Sequence, residues 1–336
     1  MSALNRCIVL ASRPVGIPQP QHFELTSAAL APLQAGELLI ENLYLSVDPA
    51  QRGYVNDEDN YSPPVAIGAV MRSLAVGRVV ESRHQAYAVG DYLYGWFGWQ
   101  QLCICTADAI LRRVNPQQAS LSAAAGLLGI NGLTAWMALH DIGKPQTGET
   151  VVVSAAAGAV GALAGQLAHL AGCRVVAIVG DDDKGRRCIA DYGYDAYVNY
   201  RQPLADVLRA VCPDGVDVYF DNVGGNIADS VIRRMNRSGR VIQCGTISIP
   251  SWVPVPQGPR VEREILTRRL RMEGFVIFDH VKRYDAVAAE LAALAASGKL
   301  RCDEDIEQGL EMAPQALVDV YAGRNTGKKL IQLAAA

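Results

Sequence analysis

An α/β protein made of two differently textured parts is predicted, and three observations predict it. Residues 1–118 read as short strands punctuated by Gly, Pro and Asp. Residues 119–298 alternate strand-like runs with Ala-rich helical stretches, and the last segment, 299–336, ends in a strand-like "KKLIQL". Repeated βα units mean a doubly wound parallel sheet. The β-rich part reads as a partly open barrel, and "KKLIQL" as a return to it, which makes that domain discontinuous in sequence. A chain of 336 residues, 50% hydrophobic, is long enough to bury two such cores.

In the first part the strand candidates are "ELLIENLYLSV", "AVGRVVESR", "GDYLYGWFGW" and "QQLCICTADAILRRV", rich in Val, Ile, Leu and aromatics. In the second they are "ETVVVSAAAG", "CRVVAIVG", "AYVNYR", "VDVYFDNVGG" and "GRVIQCGTIS", each opening a βα unit. No repeat or low-complexity segment interrupts either part.

Charge and cysteine usage exclude several function classes. The 31 Lys and Arg are spread along the chain against 34 Asp and Glu, for a net charge of −3, so there is no electrostatic footprint for nucleic acid or an anionic membrane. The start, "MSALNRCIVLASRP", lacks a long apolar core and a small-residue cleavage site, and no stretch approaches the roughly 18 apolar residues of a membrane span. A cytoplasmic protein is expected. The eight cysteines are scattered with no C-x-x-C pair, and the five histidines show no ligand spacing. Reduced, mostly buried thiols and no metal site are therefore expected.

The stretch "VVVSAAAGAVGALAGQLAHLAGC", 151–173, carries the chemistry. Ala156, Gly158 and Gly161 stand in the places of G-x-G-x-x-G, with Ala for the first Gly. Two glycines let the backbone turn tightly against a pyrophosphate, and the helix beginning there points its free N–H groups at that anion. A strand precedes, a helix follows, Gly165 and Ala168 permit close packing on the sheet, and "CRVVAIVG" arrives at the expected distance. This reads as a Rossmann dinucleotide turn; a plain strand-to-helix corner is the alternative. An NAD site wants an acidic residue at the end of that second strand, whereas NADP needs room and positive charge. Gly180 makes room and Lys184 supplies charge, yet Asp181, Asp182 and Asp183 repel a phosphate if they face it. A solvated loop is the other reading of this acidic run.

"VSAAAGAVG", "GQLAHLAGC", "FDNVGG", "CGTIS", the "SVDP" turn, "YSPPV" and the terminal "NTGKK" together resemble the zinc-independent medium-chain reductases, in the prostaglandin reductase, alkenal double-bond reductase and curcumin reductase group. The resemblance runs through nearly the whole chain in the right order. It implies a β-rich catalytic domain built from both termini, a central Rossmann domain, and an active site in the cleft. It also implies NADPH-dependent reduction, with NADH as the other candidate, of the carbon–carbon double bond of an enone or enal. By position, Gly158, Ala159, Val160 and Gly161 match the pyrophosphate turn, Gly180 the room beside the ribose, and Lys184 and Tyr200 the 2′-phosphate contacts, with Arg201 adding charge nearby. Asn222, the run Cys244, Gly245, Thr246, Ile247 and Ser248, the run Phe275, Val276 and Ile277, and Asn325 match positions lining the nucleotide and nicotinamide. Cys244 and 275–277 read equally as core at strand ends, and Asn222 and Asn325 as turn formers.

Hydride attack on the β-carbon generates an enolate whose oxygen needs hydrogen-bond donors, and a proton then adds at the α-carbon. The chain departs from the family where those donors are expected. Ala50 in "DPAQRG" replaces one tyrosine, Pro250 stands where another follows "CGTIS", and Asp181 replaces a small residue. Tyr61 in "NYSPPV" is the remaining catalytic candidate, and Arg52, Tyr54 and Tyr61 the candidate substrate contacts; Tyr61 reads alternatively as packing on Pro63 and Pro64. Two other functions stay open: a diverged enzyme for a quinone, imine or polyketide-like substrate, and a non-enzymatic nucleotide-binding or structural protein. A homodimer is expected, with "VIQCGTISIPSWVPVPQGP" offering a candidate edge strand and a Pro-rich loop.

Overall fold

A computed structural model describes residues 4–58, 60–249 and 251–334, so Pro250 lies outside the described residues. The chain forms two compact units, Met1–Gly129 with Glu304–Ala336, and Ile130–Asp303. The first unit begins with β1 (Leu4–Leu10), β2 (Phe23–Ala29), β3 (Leu38–Ser46), β4 (Leu74–Ser82), β5 (Tyr92–Trp96), β6 (Leu102–Cys105) and β7 (Ile110–Val114). The second holds β8 (Thr150–Ser154), β9 (Arg174–Val179), β10 (Ala196–Asn199), β11 (Val216–Asp221), β12 (Met235–Gln243) and β13 (Arg271–Gly274). The chain returns to the first unit with β14 (Glu304–Gln308) and β15 (Lys328–Gln332).

In the first unit β1 pairs with β2, and a larger sheet runs β14-β15-β3-β4-β5-β7, with β6 also paired to β3. Only β14 and β15 are parallel in that sheet. Ile40, Leu93, Phe97 and Trp99 lie in its core. The "KKLIQ" strand pairs antiparallel with β3, and beside that pairing lies an ion pair that the apolar pattern does not foretell. Lys328, 1% exposed, donates to Val47 O at 2.9 Å and to Asp48 Oδ1 at 2.7 Å, while Asp48 Oδ2 accepts from Ser46 Oγ. Burying two charges is costly unless each is paired and hydrogen-bonded, and here both are. The "SVDP" turn is thereby held at the start of the short helix Gln51–Tyr54.

In the second unit the order is β10-β9-β8-β11-β12-β13, all parallel. All five residues of β8, "TVVVS", are buried, as a β-branched run should be in a sheet covered on both faces. Helix Ala159–Leu170 follows it. A β-carbon on Gly165 would meet the Tyr194 phenol oxygen at 2.2 Å, so only glycine admits that ring, whose hydroxyl donates to Gly161 O at 2.8 Å.

Two expectations are corrected here. The acidic run 181–183 is not a solvated loop. Asp181 caps helix Asp182–Tyr192 by accepting from the Lys184 amide at 2.8 Å, and Asp182 and Asp183 occupy its first turn, where the helix dipole favours anions. The strand in "GRVIQCGTIS" is not an edge: β12 lies between β11 and β13, because the chain beyond the Pro-rich stretch adds the short β13 outside it. All four residues of β13 are exposed.

Candidate active site

The strand order of the second unit reverses between β8 and β11: from β8 the chain goes out through β9 to β10, then returns to β11 and goes out through β12 to β13. Ligands of open α/β sheets bind outside the carboxyl ends of the strands at such a point.

After Ser154 the chain turns through Ala155, whose φ of +49° lies in the left-handed region that favours glycine. The Gly158 amide donates to Ala155 O at 2.9 Å. A β-carbon on Gly161 would lie 2.3 Å from that same oxygen, so the turn requires glycine there. Helix Ala159–Leu170 starts at Gly158 with no side chain capping it, and Gly158, Ala159 and Val160 are half-buried. Its first amides have no side-chain cap, the arrangement that suits an anion.

Charges of both signs follow the neighbouring strand end. All three acidic side chains are engaged locally: Asp181 caps the helix, Asp182 Oδ1 accepts from Asn199 Nδ2 at 3.0 Å, and Asp183 pairs with Arg186. Lys184 is partly buried, which lowers its pKa; Asp181 opposes that shift, and Arg201 and Arg187 add to it. A β-carbon on Gly180 would lie 3.0 Å from the Tyr200 phenol oxygen. A half-buried ammonium near two guanidiniums is a site that an anion relieves.

At the β11 and β12 ends, the Asn222 amide donates to Ser154 Oγ at 2.9 Å and its Nδ2 to Ser154 O at 2.8 Å, spanning the switch point. A β-carbon on Gly245 would come within 2.9 Å of Asn222 O. Thr246 O accepts from the Ile249 amide at 2.8 Å, the Ile247 amide donates to Asn222 O at 3.4 Å, and Ser248 Oγ donates to Val223 O at 2.7 Å. The Cys244 thiol is pushed up to about 12, by burial first and then by Asp221, so it stays a neutral thiol. Phe275 and Ile277 are buried and Val276 half-buried. The Phe275 ring stacks on His280 with centroids 5.0 Å apart and planes 5° from parallel.

The first unit holds the remaining candidates. Arg52 is buried, donates from Nε to Gly16 O and pairs with Asn56. Tyr54 is 2% exposed and Tyr61 51% exposed. Their rings meet edge to face with centroids 6.3 Å apart, and a hydrogen bond joins the two phenols. Burial, then Tyr61 and Asp48, hold the Tyr54 hydroxyl well above the ordinary phenol range. Tyr321 donates to Pro49 O at 2.9 Å, and burial raises its pKa against the pull of Arg52. Asn325 Nδ2 donates to Gly327 O at 2.7 Å, the bond of a turn former.

Sequence reasoning missed Ala155, Tyr321 and the His280 stack. It also passed over Asp221, whose signal was legible: a carboxylate closing an otherwise apolar strand, "VYFD". Among the described residues no group of three His, Cys, Asp or Glu side chains can hold a metal ion, and no helix is long and apolar enough to cross a membrane.

Residues 6–112 match the family described as N-terminal domain of oxidoreductase, and 159–295 that described as zinc-binding dehydrogenase. The zinc of the second description finds no ligand set among the described residues. The NADPH-dependent curcumin reductase of Escherichia coli is 40% identical over 98% of this chain and 97% of its own. The 2-alkenal reductase (NADP(+)-dependent) of Nicotiana tabacum is 35% identical over 98% and 97%. The structure of CurA from Vibrio vulnificus in complex with NADPH superposes with a TM-score of 0.93 at 38% identity, over 98% of this chain and 100% of that one. With the doubly wound sheet, the glycine turn and this likeness along its whole length, the chain belongs to the medium-chain dehydrogenase/reductase family, in the group that holds the curcumin, 2-alkenal and prostaglandin reductases.

Proposed function

We propose that the protein reduces the carbon–carbon double bond of α,β-unsaturated ketones or aldehydes with NADPH and without a metal. The observation that carries this reading is the pair of anion sites at adjacent strand ends. The uncapped amides of 159–161 suit a pyrophosphate, and Lys184 with Tyr200 and Arg201 suits a 2′-phosphate. The relatives' printed activities supply the substrate class.

Bound NADPH supplies the hydride that goes to the substrate's β-carbon. In this reading Gly158, Ala159, Val160 and Gly161 hold the pyrophosphate, and Gly180 leaves room for the phosphorylated ribose. Asn222, the run 244–248, the run 275–277 and Asn325 shape the remaining nucleotide site. Tyr61 donates to the substrate carbonyl as enolate charge grows, and Arg52 and Tyr54 complete the substrate contacts. Tyr54 shares a hydrogen bond with Tyr61 and so positions that phenol. The neutral Cys244 thiol takes no nucleophilic part.

A homodimer is proposed with this function. The exposed β13 edge supports it, together with the exposed Trp252, Val255 and Leu266 near it in sequence. The charge balance and free cysteines suit a cytoplasmic place with neither nucleic acid nor membrane as partner. The test of the reaction is isotopic. Deuteride from labelled cofactor should appear at the β-carbon of an enone and solvent deuterium at the α-carbon; cofactor label on a carbonyl carbon would assign carbonyl reduction instead.

A further inference from the structure

Asp221 closes β11 at the switch point, and its side chain is 0% exposed. Its Oδ1 accepts from Ser154 Oγ at 3.0 Å, from the Tyr219 hydroxyl at 2.8 Å, and from the amides of Val223 and Gly224, both at 2.9 Å. Its Oδ2 accepts from Gln243 Nε2 at 3.2 Å. These five contacts, three of them from N–H groups that can only donate, suit a carboxylate. Every one of these donors is neutral, so the carboxylate is solvated by the fold but its charge is not cancelled. Its backbone oxygen also accepts from the Cys244 and Gly245 amides at 2.8 and 3.0 Å, which fixes the start of the 244–248 run.

Sheet order says which half of a dinucleotide belongs at this strand end. The glycine turn follows β8, and the Lys184 cluster follows β9, on one side of the switch point. An adenosine half with its 2′-phosphate belongs on that side, so the nicotinamide half belongs across the switch point, at the ends of β11 and β12. Asp221 ends β11.

We propose that Asp221 biases the redox state of the bound cofactor: its fixed negative charge stabilises the oxidised, cationic nicotinamide over the reduced, neutral one, and so favours departure of the hydride. The inference rests on the NADPH-dependent reading above. The balance of the reaction is unchanged: the hydride carries two electrons to the β-carbon, water supplies the proton at the α-carbon, and NADPH is oxidised to NADP+. An interaction that strengthens as positive charge develops on the donor lowers the barrier.

The experiment is a pair of binding titrations on the full chain, one with NADPH and one with NADP+. Asp221→Asn is expected to weaken NADP+ on the order of tenfold more than NADPH, because it removes the charge that favours the cationic form. Equal losses for the two nucleotides would make Asp221 a positioning hub only and overturn the proposal. So would an unchanged ratio. The Asn amide sets an NH2 among donors and can prevent folding, so a second variant, Gln243→Lys, places an ammonium against Oδ2 with the carboxylate intact. It is expected to shift the ratio in the same direction, and failure to do so in a folded protein counts equally against the idea. A parent protein that binds neither nucleotide would overturn the functional reading along with this one; binding of both, with the ratio unmoved by either variant, would overturn this inference alone.

Discussion

Tyr54 and Tyr61 lie edge to face, centroids 6.3 Å apart with planes at 83°, and share a hydrogen bond between a buried phenol and a half-exposed one. In the reading proposed above, this pair would supply the donor that Ala50 cannot. Tyr61→Phe should lower kcat roughly 10- to 1000-fold, by analogy with lost oxyanion donors, and leave NADPH affinity unchanged. Tyr54→Phe should lower kcat less, because the Tyr61 hydroxyl remains. Steady-state kinetics with an enone decides it, and a silent Tyr61→Phe would reduce that ring to a packing role.

Lys184→Ala should weaken NADPH by roughly 10- to 150-fold, the 1.5–3 kcal/mol of a charge-assisted hydrogen bond, and leave NADH nearly unchanged. Asp181 caps the helix through the Lys184 amide and also acts on the Lys184 charge, opposite in sense to Arg201 and Arg187. Equal affinity of the parent protein for both nucleotides, measured by titration, would reject it.

Gly165→Ala should cost about 1–3 kcal/mol of stability, the usual penalty of overpacking. Its β-carbon collides with Tyr194, whose hydroxyl is bonded to Gly161 O, so the same change should also weaken NADPH through the glycine turn. Thermal denaturation and nucleotide titration read the two effects separately.

Stability should fall as the solution turns alkaline. Burial pushes the Cys173 thiol up to about 11 and that of Cys188 to about 12, from an ordinary value of 9.0, and raises Tyr194 and Tyr219 well above 10.0. A group whose folded pKa is raised contributes stability that is full below its unfolded pKa and lost as pH rises toward the folded value. The loss should therefore begin near pH 9. Cys188→Ala, compared with the parent protein at pH 8 and at pH 11, should show a smaller drop in Tm between the two.

Exhaustive chelation should leave full turnover, since no ligand set for a metal stands among the described residues. Stoichiometric zinc whose removal abolishes activity would reject this.

Much of the fold was legible because its signals are local. The buried "TVVVS" strand, the spacing of Gly158 and Gly161, and the alternation of strands with Ala-rich helices are written within a few residues of one another. The uncapped helix start followed from them, since a glycine turn leaves the first amides without a side-chain cap. The acidic run was ambiguous for the converse reason: Asp181 becomes a cap only once the helix after it has formed.

What the sequence by itself determined is the α/β class, the family resemblance and the position of the glycine turn, all of which depend on neighbours along the chain. Tertiary structure alone decided the partners of the buried polar groups. Lys328 meets Asp48 across 280 residues, Ser154 meets Asp221 across 67, and Tyr54 finds Tyr61 through a loop. Periodicity marks which side chains are apolar and therefore buried. It carries no information on where a buried charge or hydroxyl finds its hydrogen bond, because that partner is supplied by whichever strand the sheet order sets beside it.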